Sequence, residues 1–292
     1  MNKFKYHVCF FIILEFVFSG IAYSAGEFKV YDSTLYKSSK NVRDKGIPMA
    51  FSIGIKTLET MYDGNIWPDS KELNDKPPEG DVFLKSIKNV KKSIGAFNID
   101  VICLDIEHWS LKETNQKKLT ENLNKYIKTI QLYKKKMPDK KFGYYSMLPV
   151  RNYYDALEIS SSTKYLKWQN HNDKLVSLAN NADIIFPSLY TFSSNKEDWV
   201  KYAVENIKQA KRYGKPVYVY IWPQYHPSVR FIGLNFMPAD FWTLQLETAL
   251  AHADGVVIWG GWDHDNNKQL YWDETAEWWQ ATKKFMKSIT NE

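Results

Sequence analysis

Along the chain, short apolar runs alternate with longer stretches in which apolar positions recur every three or four residues. The runs FKVYDS (28–33), PMAFSIGI (48–55), IDVICLDIE (99–107), KFGYYSML (141–148), ADIIFPSLY (182–190), KPVYVYIW (215–222) and DGVVIWGG (254–261) have the length and composition of buried strands. The periodic stretches DVFLKSIKNVKKSIGAF (81–97), LTENLNKYIKTIQLYKKK (119–136), NKEDWVKYAVENIKQAKRYG (195–214) and PADFWTLQLETALAHA (238–253) predict helices that lay an apolar stripe on a sheet. Strands joined through helices pair in parallel, and about seven such units predict an α/β fold: a TIM-like, distorted (β/α) barrel of about seven to eight strands. A doubly wound sheet is the alternative, but no GxGxxG supports it.

One run departs from its neighbours. In IDVICLDIEHW (99–109), side chains of a strand alternate between faces, so Cys103, Asp105 and Glu107 share one face while Ile102, Leu104 and Ile106 share the other. Two unpaired carboxylates on a buried face cost several kcal/mol, which points to a strand that ends in a cleft where their charge is used. In a barrel, chemistry sits at the C-terminal ends of the strands. Those ends carry Glu107, Tyr145, Tyr190, Tyr220 with Trp222, and Trp259. A carboxylate pair ringed by aromatic faces suits a sugar, whose C–H faces stack on rings while its hydroxyls take hydrogen bonds. The plain alternative is that the aromatics only plug the mouth of the barrel.

Composition sets the outer limits. The 292 residues begin with a basic, apolar, small-residue sequence over 1–24 that reads as a signal peptide, despite Glu15 within it. A retained membrane anchor would need about 20 uninterrupted apolar residues. Residues 25–292 contain no linker or repeat and are expected to form a single barrel domain. Cys9 departs with the signal, which leaves Cys103 without a partner for an intramolecular disulfide. A formal charge of +6 is too small to name a nucleic-acid or membrane partner. An aromatic content of 16% exceeds what a core of this size needs.

The chain resembles the hyaluronidase-type glycoside hydrolases of animals and venoms. LDIEHW, GYYSMLPVRNYYD, WQNHND, FPSLY, PVYVYIWP and GVVIWGGWD stand in that family's order, over about residues 48–285. The resemblance implies a secreted, retaining endo-β-N-acetylhexosaminidase that uses substrate-assisted catalysis, an exception to the two-carboxylate scheme. It makes Glu107 the acid and base, and Asp105 the group that orients the substrate's own 2-acetamido nucleophile. It also assigns substrate contacts to Tyr145, Tyr190, Tyr220, Trp222 and Trp259, with Asp263 at the cleft floor. His108 would tune or position Glu107. The chain departs from the animal enzymes in lacking disulfides, in its short N-terminal portion and in Ile106, where they carry an aromatic residue.

Rival readings share the glycan. Asp100, Asp105 and Glu107 fit the DxxDxDxE pattern of chitinase-like and endo-N-acetylglucosaminidase enzymes, except that Cys103 replaces its middle aspartate. A non-catalytic carbohydrate-binding barrel is the alternative of another class. The expected partner is a polysaccharide containing 2-acetamido sugars, with no nucleic acid and no membrane insertion after signal cleavage, and the chain is expected to be a monomer. No cofactor or metal is expected: a calcium-loop-like run at Asp263, Asp265, Asn267 and Glu274 has Lys268 in place of the turn glycine, and the histidines lack zinc spacing. KKKMPDKK (134–141) should lie on the face away from the site. The acidic loops 56–81 and 260–275, of net charge −4 and −3, predict a cleft rim that disfavours a uronic-acid polymer.

Overall fold

The structure, a computed structural model, describes residues 28–38, 45–69, 75–95 and 97–290. The signal peptide expected over 1–24 lies outside the described residues, as do Lys71 and Glu72. The strands are β1 (Lys29–Asp32), β2 (Lys56–Thr57), β3 (Glu59–Met61), β4 (Val101–Leu104), β5 (Lys141–Tyr144), β6 (Tyr218–Ile221), β7 (Gly255–Ile258), and a short antiparallel pair, β8 (Trp262–Asp263) with β9 (Lys268–Gln269).

Two parallel sheets carry the fold, ordered β2-β1-β7-β6 and β3-β4-β5. On one side the chain itself joins them. Residues 56–61 run from β2 into β3, and at the bend Leu58 donates its N–H to the Asp32 carbonyl at 3.1 Å. On the other side the segment 183–191 takes the place of a strand. Asp183 donates to the Phe142 carbonyl (2.7 Å), Ile185 to Pro216 (2.9 Å), and Tyr220 donates back to Pro187 (2.9 Å). Seven parallel segments thus follow one another round a ring, the TIM-barrel-like arrangement that the strand–helix alternation predicts. The run ADIIFPSLY forms isolated bridges rather than a ladder, because Pro187 has no N–H to give. Gly143 lets this segment approach, since a Cβ there would lie 2.2 Å from the Ile184 carbonyl oxygen.

One expected strand is corrected. PMAFSIGI holds a turn and a short 3-10 helix (Ala50–Ile53), bounded by Met49 and Gly54 in the left-handed region with φ of 58° and 81°. The strand begins at Lys56 instead. The four expected helices form as Gly80–Gly95, Gln116–Lys136, Lys196–Lys211 and Ala239–His252. Two further helices, Thr163–Asp173 and Glu277–Thr290, add to the outer layer.

Alternation along the strands sorts the core into two layers. Tyr31, Leu58, Val101, Cys103, Tyr218, Tyr220 and Val257 pack inside the ring with Phe186. Val30, Ile102, Leu104, Val219, Ile221, Val256 and Ile258 pack outward against the helices. Each large side chain buried this way contributes about 1.5–3 kcal/mol of transfer free energy. Four of these eight inward side chains are rings, and the outer layer holds most of the other buried aromatic residues.

Candidate active site

At the C-terminal ends of the strands lies a cavity of about 240 Å³, lined by Thr60, Asp105, Glu107, Tyr145, Tyr190, Tyr220, Trp222, His226, Pro227, Trp259 and His264. Two carboxylates enter it from the end of β4. The backbone N–H of Asp105 donates to the Met61 carbonyl at 2.9 Å, which extends the β3–β4 pairing one residue past the strand and holds Asp105 on the inner face above buried Cys103. Ile106 returns to the outer core, and its carbonyl accepts from the Tyr126 hydroxyl at 2.9 Å. Glu107 then emerges into solvent. Burial pushes the Asp105 carboxyl up to about 8, with the negative charges of Glu107 and Asp63 adding to it. No hydrogen bond reaches that carboxyl among the described residues.

Rings wall the cavity. Tyr190 stacks on Trp259 with centroids 5.6 Å apart and planes at 29°, and Trp222 meets Trp259 edge-on at 5.0 Å. The Trp259 indole N–H donates to the Tyr62 hydroxyl at 2.9 Å, which fixes the ring. Tyr145 meets Tyr220 at 5.0 Å, and its hydroxyl shares a hydrogen with Ser188 Oγ across 3.0 Å. The Tyr220 hydroxyl lies 2.9 Å from Thr60 Oγ1, itself 2.6 Å from Ser33 Oγ. Burial raises the Tyr145, Tyr190 and Tyr220 phenols well above their ordinary value, so all three stay protonated and can donate hydrogen bonds.

The structure thus brings Asp105, Glu107, Tyr145, Tyr190, Tyr220, Trp222 and Trp259 together at one cavity. It does not bring Asp263 there. That carboxylate is turned into its own hairpin, where it accepts from the Asn266 backbone N–H (3.1 Å) and side-chain amide (2.8 Å), while the adjacent His264 lines the cavity. His108 is not a partner of Glu107: its Nδ1 lies 3.5 Å from Asp63, and its ring packs on Trp67 and Trp109. Thr60 and Tyr62 carry no signal in the sequence, because the apolar run PMAFSIGI draws the second strand to residues that precede its true start at Lys56. His226, packed at 4.3 Å on Phe192, carries no ligand spacing that would single it out. Burial, then the nearby charges of Arg151 and His264, lower its pKa.

Beyond Glu107 the cleft continues through a second cavity of about 240 Å³ into a wider one of about 760 Å³. Lys112, Val150 and Arg151 line both. The expected acidic rim is corrected here. Glu59 of the 56–81 loop is buried on the outer face against Ser93 and Lys45, Asp69 pairs with Lys85, and Glu274 anchors Trp279 and Lys283 of the last helix. These three carboxylates of the loops are engaged away from the cleft, whereas Asp63 stays close enough to Asp105 to raise its pKa. The lysines of 134–141 do lie elsewhere, with Lys134 paired to Asp183 at 2.7 Å and Lys141 opening β5 at its N-terminal end. Among the described residues no group of three His, Cys, Asp or Glu side chains could hold a metal, and no helix is long and apolar enough to cross a membrane.

Comparison with known proteins agrees with this geometry. The fold is similar to the crystal structure of bee venom hyaluronidase, with a TM-score of 0.57 and 17% identity over 91% of this chain and 98% of that one. It is also similar to bee venom hyaluronidase in complex with a hyaluronic acid tetramer, with a TM-score of 0.53 and 16% identity over 83% and 90%. No curated protein matches the sequence. The hyaluronidase family matches residues 92–290, which begin just before β4 and end with the last helix, and so take in both carboxylates and most of the aromatic wall. The chain belongs to the hyaluronidase family and is a glycoside hydrolase with a TIM-barrel-like fold.

Proposed function

We propose that this glycoside hydrolase is a retaining endo-β-N-acetylhexosaminidase of hyaluronidase type, exported through residues 1–24, with residues 25–292 as its single domain and a 2-acetamido polysaccharide as its substrate. The observation that carries this reading is Asp105: a half-buried carboxyl without a hydrogen bond among the described residues, beside an exposed Glu107, in a cavity walled by rings. Such a group accepts an amide N–H, and the substrate's acetamide offers one. Accepting it favours the ionised form of Asp105 and leaves Glu107 as the carboxyl that holds a proton for the leaving group.

In the first step Glu107 gives its proton to the glycosidic oxygen while the acetamide carbonyl oxygen attacks the anomeric carbon. The C–O bond to the leaving sugar breaks, and a cyclic oxazolinium forms. Its positive charge lies against the Asp105 carboxylate, the preorganised electrostatic term. In the second step the Glu107 carboxylate removes a proton from water as that water attacks the anomeric carbon. Two inversions at one carbon give retention. Tyr190 and Tyr220 offer hydroxyl donors to the acetamide and the reacting centre, and Trp259 supports the acetamide methyl with its ring face.

The reading is tested by reducing-end release from hyaluronan, chondroitin and chitin oligosaccharides, together with a thiazoline that mimics the cyclised intermediate. Turnover of a 2-acetamido glycan with competitive thiazoline inhibition is expected. Trapping of a sugar on an enzyme carboxylate would replace the acetamide with a protein nucleophile.

A further inference from the structure

A line of hydroxyls leads to Tyr220, from the end of β1 by way of β3 to β6. Ser33 Oγ lies 2.6 Å from Thr60 Oγ1, which lies 2.9 Å from the Tyr220 hydroxyl. All three side chains are buried, and Thr60 and Tyr220 line the cavity with Asp105 and Glu107. Thr60 stands in register with Cys103 on the neighbouring strand, and the Tyr220 hydroxyl donates to the Cys103 sulfur. Each oxygen of the line has one proton to give. With the Tyr220 proton on the sulfur, Thr60 must donate to Tyr220, and Ser33 must in turn donate to Thr60. The line is therefore polarised toward the phenol. A thiol sulfur is a weak acceptor, so a carbonyl oxygen that enters the cavity takes the Tyr220 proton from it.

We infer that Thr60, held by Ser33, is a positioning residue of the hydrolysis: it occupies the acceptor side of the Tyr220 hydroxyl and so keeps that proton for the substrate. The inference deepens the reading of Tyr220 as a donor to the acetamide, and rests on it. A phenol proton lies near the plane of its ring, on one side of the oxygen or the other. If Thr60 were the acceptor, the proton would be spent on it and the cavity would meet only oxygen lone pairs. Donation from Thr60 excludes that orientation before substrate arrives, so the donor is set in advance of the reaction. Tyr220 then aims the acetamide oxygen at the anomeric carbon. A misaimed oxygen slows the attack more than it weakens binding, since the aromatic wall and Asp105 still hold the sugar. Thr60 suits the task because its branched Cβ restricts the side chain to few rotamers, a restriction that serine lacks.

The test is a double-mutant cycle between Thr60→Val and Tyr220→Phe in the full-length chain. It is read by reducing-end release from hyaluronan and chitin hexasaccharides, with a thiazoline mimic of the cyclised intermediate as inhibitor. Thr60→Val keeps the shape and removes the hydroxyl, so kcat should fall about tenfold with KM within about twofold. Thr60→Ser should restore kcat to within about threefold of wild type. In the Tyr220→Phe background, Thr60→Val should cost less than about twofold more. Ser33→Ala should lower kcat in the same direction to a smaller extent, and it completes the cycle if Thr60→Val does not fold. The same loss in both backgrounds would show that Thr60 acts without Tyr220 and would overturn the inference, as would wild-type kcat in Thr60→Val or a change confined to KM. Those outcomes leave the acetamide reading standing while the thiazoline inhibits. Turnover without thiazoline inhibition would overturn the acetamide reading, and the kcat cycle still decides on Thr60. Release of no reducing ends from either chain overturns both.

Discussion

The indole N–H of Trp259 donates to the hydroxyl of Tyr62 at 2.9 Å, and so ties the end of β7 to the residue that follows β3 across the mouth of the barrel. Trp259 is the ring against which Tyr190 stacks and Trp222 abuts, so this one bond sets the orientation of the aromatic wall. Tyr62→Phe leaves the indole donor without its partner. It should cost about 1 kcal/mol of stability and raise KM a few-fold with kcat nearly unchanged. Trp259→Ala removes the wall and should lower kcat/KM by at least about tenfold. Steady-state kinetics with thermal denaturation decide the matter, and wild-type KM in Tyr62→Phe would show that the wall holds its place without the tie.

Glu107→Gln keeps the shape of the side chain and removes the proton. Hydrolysis should fall by about 100-fold or more, while calorimetry still detects glycan binding. Activity within about tenfold of wild type would take Glu107 out of the acid role.

Asp105 links catalysis to stability. Its carboxyl ionises at about 8 in the folded protein against an ordinary 3.8. The folded state therefore holds a proton that the unfolded chain releases, and the stability it contributes is fully present below about pH 4 and lost as pH rises through about 8. Asp105→Asn has no proton to lose. Relative to wild type, the variant should gain about 2 kcal/mol at pH 9, or roughly 4–8 °C in Tm, and nothing at pH 4. Its kcat should fall by about 100-fold or more at every pH, because the oxazolinium charge loses its counter-ion. A Tm difference independent of pH would mean that Asp105 is ionised in the free protein at neutral pH.

What the sequence made legible was the part governed by local periodicity. Alternation alone assigned Cys103, Asp105 and Glu107 to one face of a strand, and a barrel puts strand ends at one mouth, so six of the seven cavity residues named for the site followed from strand ends, with Asp105 one step below Glu107 on the same face. The errors arose where tertiary pairing decides. PMAFSIGI is apolar enough for a strand, but Gly54 in the left-handed region stops it, and pairing to Tyr31 and Asp32 starts the strand at Lys56. That shift hid Thr60 and Tyr62. Asp263 was carried by motif position, which does not say that Asn266 will turn its carboxylate into a hairpin. Charge summed along loops could not say where each charge lies: Glu59 faces outward, Asp63 stays beside Asp105, and Arg151, isolated in sequence, faces the groove.

Gly143 tests the closure of the ring. A Cβ at this position would stand 2.2 Å from the Ile184 carbonyl oxygen and 2.7 Å from the Phe186 ring, and the segment that would have to yield is the one that bridges β5 to β6. Gly143→Ala should destabilise by about 3 kcal/mol or more, as overpacking of a tight interior does, and should reduce activity through Tyr145, two residues along the same face. Urea denaturation of the variant measures the first, and a loss below about 1 kcal/mol would indicate that the segment has room to move.

Cys103 lies one step below Asp105 inside the barrel, with no exposed surface. Burial holds its thiol well above the ordinary value, and the nearby Asp105 charge adds to that, against a lowering hydrogen bond from Tyr220. A thiol without access and without thiolate is inert. The native enzyme should therefore resist alkylation and react once unfolded in guanidinium. Cys103→Ala removes one sulfur from a packed interior and should cost about 1–2 kcal/mol with turnover within a few-fold. Cys103→Asp restores the chitinase-like spacing of carboxyls but puts a third acid beneath Asp105, in a layer of rings. Its carboxyl must stay protonated or force Asp105 to do so, so the variant should lose several kcal/mol at pH 8 and recover part of it at pH 5. Rapid alkylation of the native protein with loss of activity would place the thiol on the cleft surface, and the inward assignment of Asp105 and Glu107 would fall with it.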